Sequence, residues 1–133
     1  MITAVDASVL LDVFAEDPDY VAASQSALRR AMQEGSLVVS DVVVAELRPC
    51  FARRDGLMKA LGVLGVEFSP LTMDAALLAG ESWLRYRIGG GKRERLIPDF
   101  LIAAHARECA DRLLTRDRGF YRRWFRGLKI LEP

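Results

Sequence analysis

Residues 2–14 read ITAVDASVLLDVF, and in this stretch an aspartate directly follows a short β-rich run. Ile2 to Val5 does not alternate between apolar and polar residues, which is typical of a strand buried on both faces. An aspartate at the end of such a strand, Asp6, is costly unless water, a metal ion or a helix N-terminus stabilises its charge. Open α/β sheets place their active sites at that edge. Asp6 is therefore either an ordinary cap or the first residue of a functional site.

The totals indicate one domain of ordinary composition over residues 1–133. Of the 133 residues, 51% are hydrophobic and 28% charged, which is enough to bury a single core. The longest run without a charged residue, 20–28, is far too short to span a membrane, and a secretory signal is not expected. Cys50 and Cys109 form no CxxC or Cys/His motif. We expect both to be buried, reduced thiols of a cytoplasmic protein, with a disulfide as the alternative.

Charge is distributed unevenly along the chain, although the formal net charge is only +1. Residues 1–46 contain eight acidic and two basic side chains, whereas residues 47–133 contain ten acidic and seventeen basic ones. This pattern is typical either of solvated helix faces or of a basic surface for a polyanion beside an acidic pocket. Composition alone leaves both interpretations open.

Strands and helices are predicted to alternate. The predicted strands are residues 2–5, 37–39, 66–68, 113–115 and 129–131. The predicted helices are residues 7–14, 20–34, 56–64, 74–87 and 98–110, together with a short helix that is capped by Ser40 and ended or kinked by Pro49. This alternation predicts an α/β protein, a three-layer α/β/α sandwich with a central parallel sheet.

Four carboxylates occupy positions where an acid would not be chosen for stability: Asp6, Glu46, Asp99 and Asp117. Glu46 falls on the apolar side of its helix, and Asp99 is on the helix face that should meet the sheet. Each acid also has a structural explanation, since Asp99 could stabilise a helix N-terminus and Asp117 could cap a turn. In a parallel sheet, residues just after strands and in the first helical turns meet at one edge. All four acids can therefore converge on one cleft.

Carboxylates that converge in this way would raise one another's pKa values by repulsion. A divalent cation removes the repulsion, and a ligand set made only of oxygen atoms favours Mg²⁺ or Mn²⁺ over zinc. The pattern therefore predicts a magnesium or manganese site.

Four motifs occur in order along the chain and together resemble the PIN-domain family: VDASVLLD, VVVAEL, PDFLIAAHA and LLTRDRGF. Within this family the chain looks like the VapC ribonuclease toxins of bacterial toxin–antitoxin pairs. The resemblance extends from Ile2 to about Leu131. It implies a single PIN-like domain that is a Mg²⁺- or Mn²⁺-dependent endoribonuclease, leaving a 5′-phosphate and a 3′-hydroxyl. It also implies a VapB-like antitoxin partner and a homodimer.

The resemblance also assigns roles to individual residues. Asp6 and Asp99 match the principal metal ligands, and Glu46 and Asp117 match ligands that bind directly or through water. Ser8 and Thr115 match polar positions that support the first and fourth acids. For Ser8 and Thr115, helix and turn capping is the competing explanation.

Three residues have no assigned role in this pattern. Pro49 is unexpected in its helix and could alter the direction of Glu46. Asp12 is interpreted as solvent-facing or as a salt-bridge partner. His105, the single histidine, is interpreted as structural or exposed, because metal-assisted hydrolysis needs no histidine base.

Two basic segments are candidates for RNA contact. The stretch GGGKRER, residues 89–95, is not a P-loop, because tyrosine and arginine stand where that motif needs glycine and serine or threonine. Its Lys92, Arg93 and Arg95 could contact the RNA backbone, or the stretch could be an ordinary loop. The stretch RGFYRRWFRG could stack on RNA, but helical spacing favours Phe120 and Trp124 as core residues. A catalytically silent PIN-like RNA-binding or regulatory module is the alternative function.

Overall fold

The computed structural model describes residues 1–91 and 97–133. The strands are β1 Ile2–Val5, β2 Ser36–Val39, β3 Val66–Phe68, β4 Arg112–Leu114 and β5 Ile130–Leu131. The helices are α1 Ala7–Phe14, α2 Val21–Glu34, α3 Asp41–Leu47, α4 Arg54–Val63, α5 Met73–Ile88, α6 Ile97–Cys109 and α7 Arg118–Trp124, with a 3₁₀ turn at Arg48–Cys50. Within these ranges no helix combines the length and the apolar character that crossing a membrane requires.

The strands form one parallel sheet in the order β3-β2-β1-β4-β5. The chain extends the sheet from the central strand β1 to one side through β2 and β3. It then returns to the other side of β1 for β4 and β5. This change of direction occurs between β1 and β4, and the carboxyl ends of strands at such a point are where α/β proteins bind ligands. With helices flanking the sheet, the predicted three-layer α/β/α sandwich is confirmed.

The boundaries of α3 follow from its sequence. Ser40 caps the helix as predicted, because its Oγ accepts a hydrogen bond from the N–H of Val43 at 3.4 Å. The α-helix ends at Leu47, and Pro49 lies in the 3₁₀ turn that follows. Proline has no N–H to donate to the preceding turn, so the α-helix cannot continue through it.

Helix α7 is not among the helices predicted from the sequence, although Phe120 and Trp124 stand at helical spacing. It has seven residues, and so short a helix depends on tertiary contacts for its stability. Contacts with the rest of the core stabilise it: Tyr86 lies edge-on to Phe100, Phe120 and Trp124, with ring centroids 5.4, 6.1 and 5.0 Å away. Phe120 is buried and Trp124 half-buried, in agreement with the interpretation of both as core residues.

The cysteines differ in part from the expectation. Both are free thiols, as predicted, but Cys50 is exposed and Cys109 only half-buried. The prediction that both are buried is therefore wrong. Cys50 ends the 3₁₀ turn, which lies on the surface after α3 rather than in the core.

Candidate functional site

Asp6 lies at the carboxyl end of the central strand, beside the end of β4. Its backbone N–H donates to the carbonyl of Leu114 at 2.9 Å, so it extends the pairing of the two strands. Although Asp6 occupies the N-cap position of α1, its carboxylate does not accept the hydrogen bond from the second or third helical N–H that defines a cap. Asp6 is only 7% exposed. The explanation of Asp6 as an ordinary helix cap is therefore not supported by its geometry.

Two hydroxyl groups hold the Asp6 carboxylate in place. Thr115 Oγ1 donates to Asp6 Oδ2 at 2.6 Å, and Ser8 Oγ donates to the same oxygen at 3.2 Å. Thr115 is completely buried, and its Oγ1 also accepts a hydrogen bond from the N–H of Asp117 at 3.0 Å. One threonine hydroxyl thus links the first and the fourth acid of the predicted quartet. The hydrogen bonds that a supporting role of Ser8 and Thr115 requires are present.

Burial dominates the electrostatics of Asp6. Loss of solvent raises the pKa of Asp6, and this effect outweighs the lowering by hydrogen bonds from Thr115, Ser8 and the Ala7 N–H. The negative charge of Asp117 raises the pKa of Asp6 further. A buried carboxylate beside a second acid is in an environment that a bound cation would relieve.

The carboxylate of Glu46 interacts electrostatically with two other predicted site residues. The residue as a whole is exposed on α3, yet nearby protein atoms desolvate its carboxylate, and this raises the pKa of Glu46. The charges of Asp6 and Asp99 raise the pKa of Glu46 further. Pro49, which follows Glu46, therefore leaves its carboxylate within electrostatic range of both aspartates.

Asp99 and Asp117 both stand at the start of a helix. Asp99 is half-buried in the first turn of α6, where the helix dipole favours a negative charge. Asp117 is half-buried and precedes α7, but its side chain makes no capping hydrogen bond to that helix. Capping therefore does not account for Asp117, whereas for Asp99 it remains compatible with the structure.

The four carboxylates share a neighbourhood without forming a preassembled cage. In the described part of the chain, no group of three Asp, Glu, His or Cys side chains could hold a metal ion as placed. The effects on pKa nevertheless pair Asp6 with Asp117, and Glu46 with both Asp6 and Asp99. The donor set fits Mg²⁺ or Mn²⁺ in kind, because its donors are carboxylate oxygens, and Mg²⁺ commonly binds one or two carboxylates and retains several waters.

Two residues outside the quartet are now defined by their contacts. His105 is 1% exposed, its Nε2 lies 3.0 Å from Ser69 Oγ, and burial lowers its pKa. The structural interpretation of His105 is confirmed. Asp12 is 2% exposed and forms an ion pair with Arg116. The solvent-facing interpretation of Asp12 is thus wrong and the salt-bridge interpretation is confirmed.

Arg116 has no role predicted from the sequence, although it stands inside the motif LLTRDRGF between Thr115 and Asp117. The presence of a base between two predicted site residues was the only signal, and its acidic partner is 104 residues away along the chain. The predicted RNA contacts Lys92, Arg93 and Arg95 lie outside the described residues and stay predictions.

Comparison with solved structures finds the same fold in toxin–antitoxin proteins. The structure of VapBC2 from Rickettsia felis bound to a promoter DNA fragment is 20% identical, with a TM-score of 0.75 over 99% of this chain and 98% of that chain. VapBC-1 from nontypeable Haemophilus influenzae is 21% identical, with a TM-score of 0.74 over the same shares. VapC20 from Mycobacterium tuberculosis, described as a Sarcin-Ricin loop cleaving toxin, is 18% identical, with a TM-score of 0.58 over 84% of this chain and 86% of that chain.

These identities are low enough that the similarity establishes the fold alone. No curated protein matches the sequence. The family model of the PIN domain, however, matches residues 3–125, a range that contains all four acids together with Ser8 and Thr115. The chain therefore belongs to the PIN domain family.

Proposed function

We propose that this PIN domain is a divalent-metal-dependent endoribonuclease and the toxin of a toxin–antitoxin pair. The main support is the environment of Asp6: a buried carboxylate at the carboxyl ends of β1 and β4, with a raised pKa and a second acid, Asp117, beside it. A protein gains no stability from such an arrangement. Its retention at the edge where α/β folds bind ligands is best explained by a cation.

The metal would be held by the acidic quartet. Asp6 and Asp99 are the proposed principal ligands, and Glu46 and Asp117 would bind directly or through water. The ion is Mg²⁺ or Mn²⁺, because the donors are all hard oxygen atoms. When bound, it supplies a Lewis acid that lowers the pKa of a water molecule and neutralises charge on the phosphodiester.

The side chains of the site have distinct tasks in this proposal. The hydrogen bonds from Thr115 and Ser8 fix the orientation of the Asp6 carboxylate, so that little reorganisation is needed when RNA binds. Glu46, whose carboxylate is within electrostatic range of Asp6 and Asp99, is the group proposed to take up the proton of the attacking water. His105 is buried against Ser69 and takes no part. Cleavage would leave a 5′-phosphate and a 3′-hydroxyl.

The toxin role also includes a partner. The Rickettsia felis and Haemophilus influenzae structures are VapBC complexes by description, which supports a VapB-like antitoxin for this chain.

Helix α5 offers an apolar surface that a partner would cover. Four residues more than half exposed lie on one face of this helix: Met73, Leu77, Leu84 and Ile88. A second copy of the chain in a homodimer is the other proposed occupant of such a surface. A toxin that acts on cellular RNA would work in the cytoplasm.

A catalytically silent RNA-binding or regulatory module is the second candidate. It is favoured by one observation, namely that among the described residues no three potential ligands are positioned to hold a metal together. The two candidates differ in metal-dependent cleavage and not in fold.

The test is cleavage of RNA by the purified protein with Mn²⁺, Mg²⁺ or EDTA, followed by sequencing of the RNA ends. Asp99→Asn should abolish cleavage. Asp74→Asn is the matched control, because Asp74 is also an acid in the first turn of a helix and loses the same interaction with the helix dipole. Far-UV circular dichroism establishes that both variants are folded.

Each outcome favours one candidate. Cleavage that requires the metal, survives Asp74→Asn and is lost in Asp99→Asn supports the nuclease. RNA binding without cleavage under every condition supports the silent module. Cleavage that persists in EDTA, or in Asp99→Asn, rules out the proposed metal site.

A further inference from the structure

Asp12 is an acidic residue that has no role in the proposed metal site or in the proposed cleavage of RNA. It lies on α1, is 2% exposed and is six residues after Asp6. A carboxylate buried this deeply is tolerated only where a cation or several hydrogen bonds compensate its charge. The partners of Asp12 therefore explain its presence.

Those partners come from two distant parts of the chain. Arg116 forms a two-pronged ion pair with Asp12, with Nε 2.9 Å from Oδ2 and Nη2 3.0 Å from Oδ1. Ser24 Oγ on α2 donates to Oδ2 at 2.7 Å. The ring of Tyr20 stacks on the guanidinium, with its centroid 3.9 Å from Arg116 Cζ. A planar guanidinium group that is bound through two of its nitrogens and stacked on one face has little freedom to move.

Arg116 is also the residue between Thr115 and Asp117. Thr115 donates to Asp6 and accepts from the N–H of Asp117, so the turn after β4 is tied to β1 at one point. The ion pair of Arg116 with Asp12 ties the same turn to α1 at a second point. Together the two ties fix where Asp117 stands relative to Asp6.

Direct contact between Arg116 and RNA explains the arrangement less well. The side chain of Arg116 is 34% exposed, but its Nε and Nη2 are directed at the buried carboxylate of Asp12. It borders a depression of about 440 Å³ whose other lining residues include Asp19 and Glu132, the latter paired with Arg122. An arginine already paired with a buried carboxylate, beside a further acid such as Asp19, is a poor site for a phosphate.

We infer that Asp12 and Arg116 are positioning residues for the fourth acid, holding the Thr115–Asp117 turn so that Asp117 faces Asp6. This inference rests on the proposed function for its chemical consequence, but the geometry concerns this chain alone. It predicts that breaking the ion pair loosens the turn, weakens metal binding and lowers kcat while leaving the KM for RNA nearly unchanged.

The experiment compares Arg116→Met with Arg112→Met. Arg112 is a matched control, because it is a buried arginine at the start of β4 that pairs with Glu34 at 2.5 Å and donates to Thr3 at 2.9 Å, at the opposite edge of the sheet. Three quantities are measured in each folded variant: hydrogen exchange of the Asp117 amide by NMR, the Mn²⁺ dissociation constant by calorimetry, and kcat and KM for RNA. In case Arg116→Met fails to fold, Asp12→Asn and Arg116→Lys keep most of the shape and provide the same measurements.

Arg116→Met should speed exchange of the Asp117 amide and raise the Mn²⁺ dissociation constant about 10- to 100-fold, the usual cost of losing an outer-shell partner. Arg112→Met should change neither. Arg116→Lys, which keeps the charge without the fork, should fall between wild type and Arg116→Met. If the Asp117 amide exchanges equally in wild type and Arg116→Met, or equally in both methionine variants, the positioning role is overturned.

The proposed function fails separately from this inference. If the wild-type protein neither binds Mn²⁺ nor cleaves RNA, yet Arg116→Met still selectively loosens the Asp117 amide, the nuclease proposal is wrong and the positioning role stands. If wild type binds Mn²⁺ and cleaves RNA with the same constants as Arg116→Met, the nuclease proposal stands and the positioning role is wrong.

Discussion

The start and the second half of helix α1 each bury an aspartate, and the two charges are compensated in different ways. Asp12 meets the guanidinium of Arg116 and the hydroxyl of Ser24. Asp6 receives hydrogen bonds from the hydroxyls of Thr115 and Ser8 and from the Ala7 N–H, while the negative charge of Asp117 acts against it. Within the described residues no lysine or arginine forms an ion pair with Asp6. A buried acid with a cationic partner is tolerated by a fold because its charge is compensated within the protein, whereas one beside another acid is suited to bind an external cation.

The largest expected effect comes from removing the charge of Asp6. Asp6→Asn should lower the RNA cleavage rate by about 1,000-fold or more, since a metal ligand contributes several kcal/mol to stabilising the transition state. The same substitution should raise the thermal stability of the metal-free protein, because it removes a buried charge that burial disfavours. Calorimetry in EDTA measures the thermal stability, and a cleavage assay with Mn²⁺ measures the cleavage rate. If Asp6→Asn were less stable than wild type in EDTA, the charge of Asp6 would not be the uncompensated charge that the comparison with Asp12 assumes.

Breaking the ion pair at Asp12 should have the opposite effect on stability. Arg116→Met leaves Asp12 buried without a cation and should lower the free energy of unfolding by about 2–3 kcal/mol, less than the loss typical of fully buried pairs because Arg116 is partly exposed. Adding Asp12→Leu to Arg116→Met should restore much of this loss, since apolar replacements of both partners are well tolerated. Urea unfolding measures each value. A double variant less stable than the single one would show that the charge of Asp12 is not the cause.

Removing the hydroxyl of Thr115 should affect both acids that it links. Thr115→Val removes the donor to Asp6 and the acceptor of the Asp117 N–H, which should cost about 1.5–3 kcal/mol of stability, the range for hydrogen bonds to charged groups. Mn²⁺ binding should weaken about tenfold. Thr3→Val is the control, because Thr3 is an equally buried threonine on the neighbouring strand that accepts from Arg112. Equal Mn²⁺ affinities in the two valine variants would contradict the supporting role of Thr115.

The smallest expected effect is on pH dependence. The pKa values of Asp6 and Glu46 are raised in the folded protein above their ordinary values of 3.8 and 4.5. For each group, the folded state therefore binds more protons than the unfolded state at pH values between the pKa in the unfolded chain and the higher pKa in the folded protein. These groups should reduce the stability of the metal-free protein as pH rises through that interval, and Mn²⁺ affinity should increase over it because the ligands must lose their protons. The contribution of Asp6 is measured from the free energy of unfolding against pH in EDTA for wild type and Asp6→Asn. Identical slopes for the two proteins would contradict the raised pKa of Asp6.

Local sequence patterns predicted the fold well where a signal lies within one element. The apolar run before Asp6, the Ser40 cap and Pro49 each act over a few residues, so strand β1 and helix α3 could be located directly. Helix α7 could not, because its seven residues depend for stability on contacts with Tyr86 and Phe100, which come from other helices. The burial of Asp12 could not be predicted either, since it depends on an arginine 104 residues away.

The sequence by itself determined the order of strands and helices apart from α7, and it marked Asp6, Glu46, Asp99 and Asp117 as acids in unusual places. It could do so because periodicity, capping and strand ends are properties of neighbouring residues. Only the tertiary structure placed β4 beside β1, which brings Thr115 to Asp6 across 109 residues of chain. The strand order and the partners of a buried charge depend on how distant elements pack together, and short-range patterns contain no information about that choice.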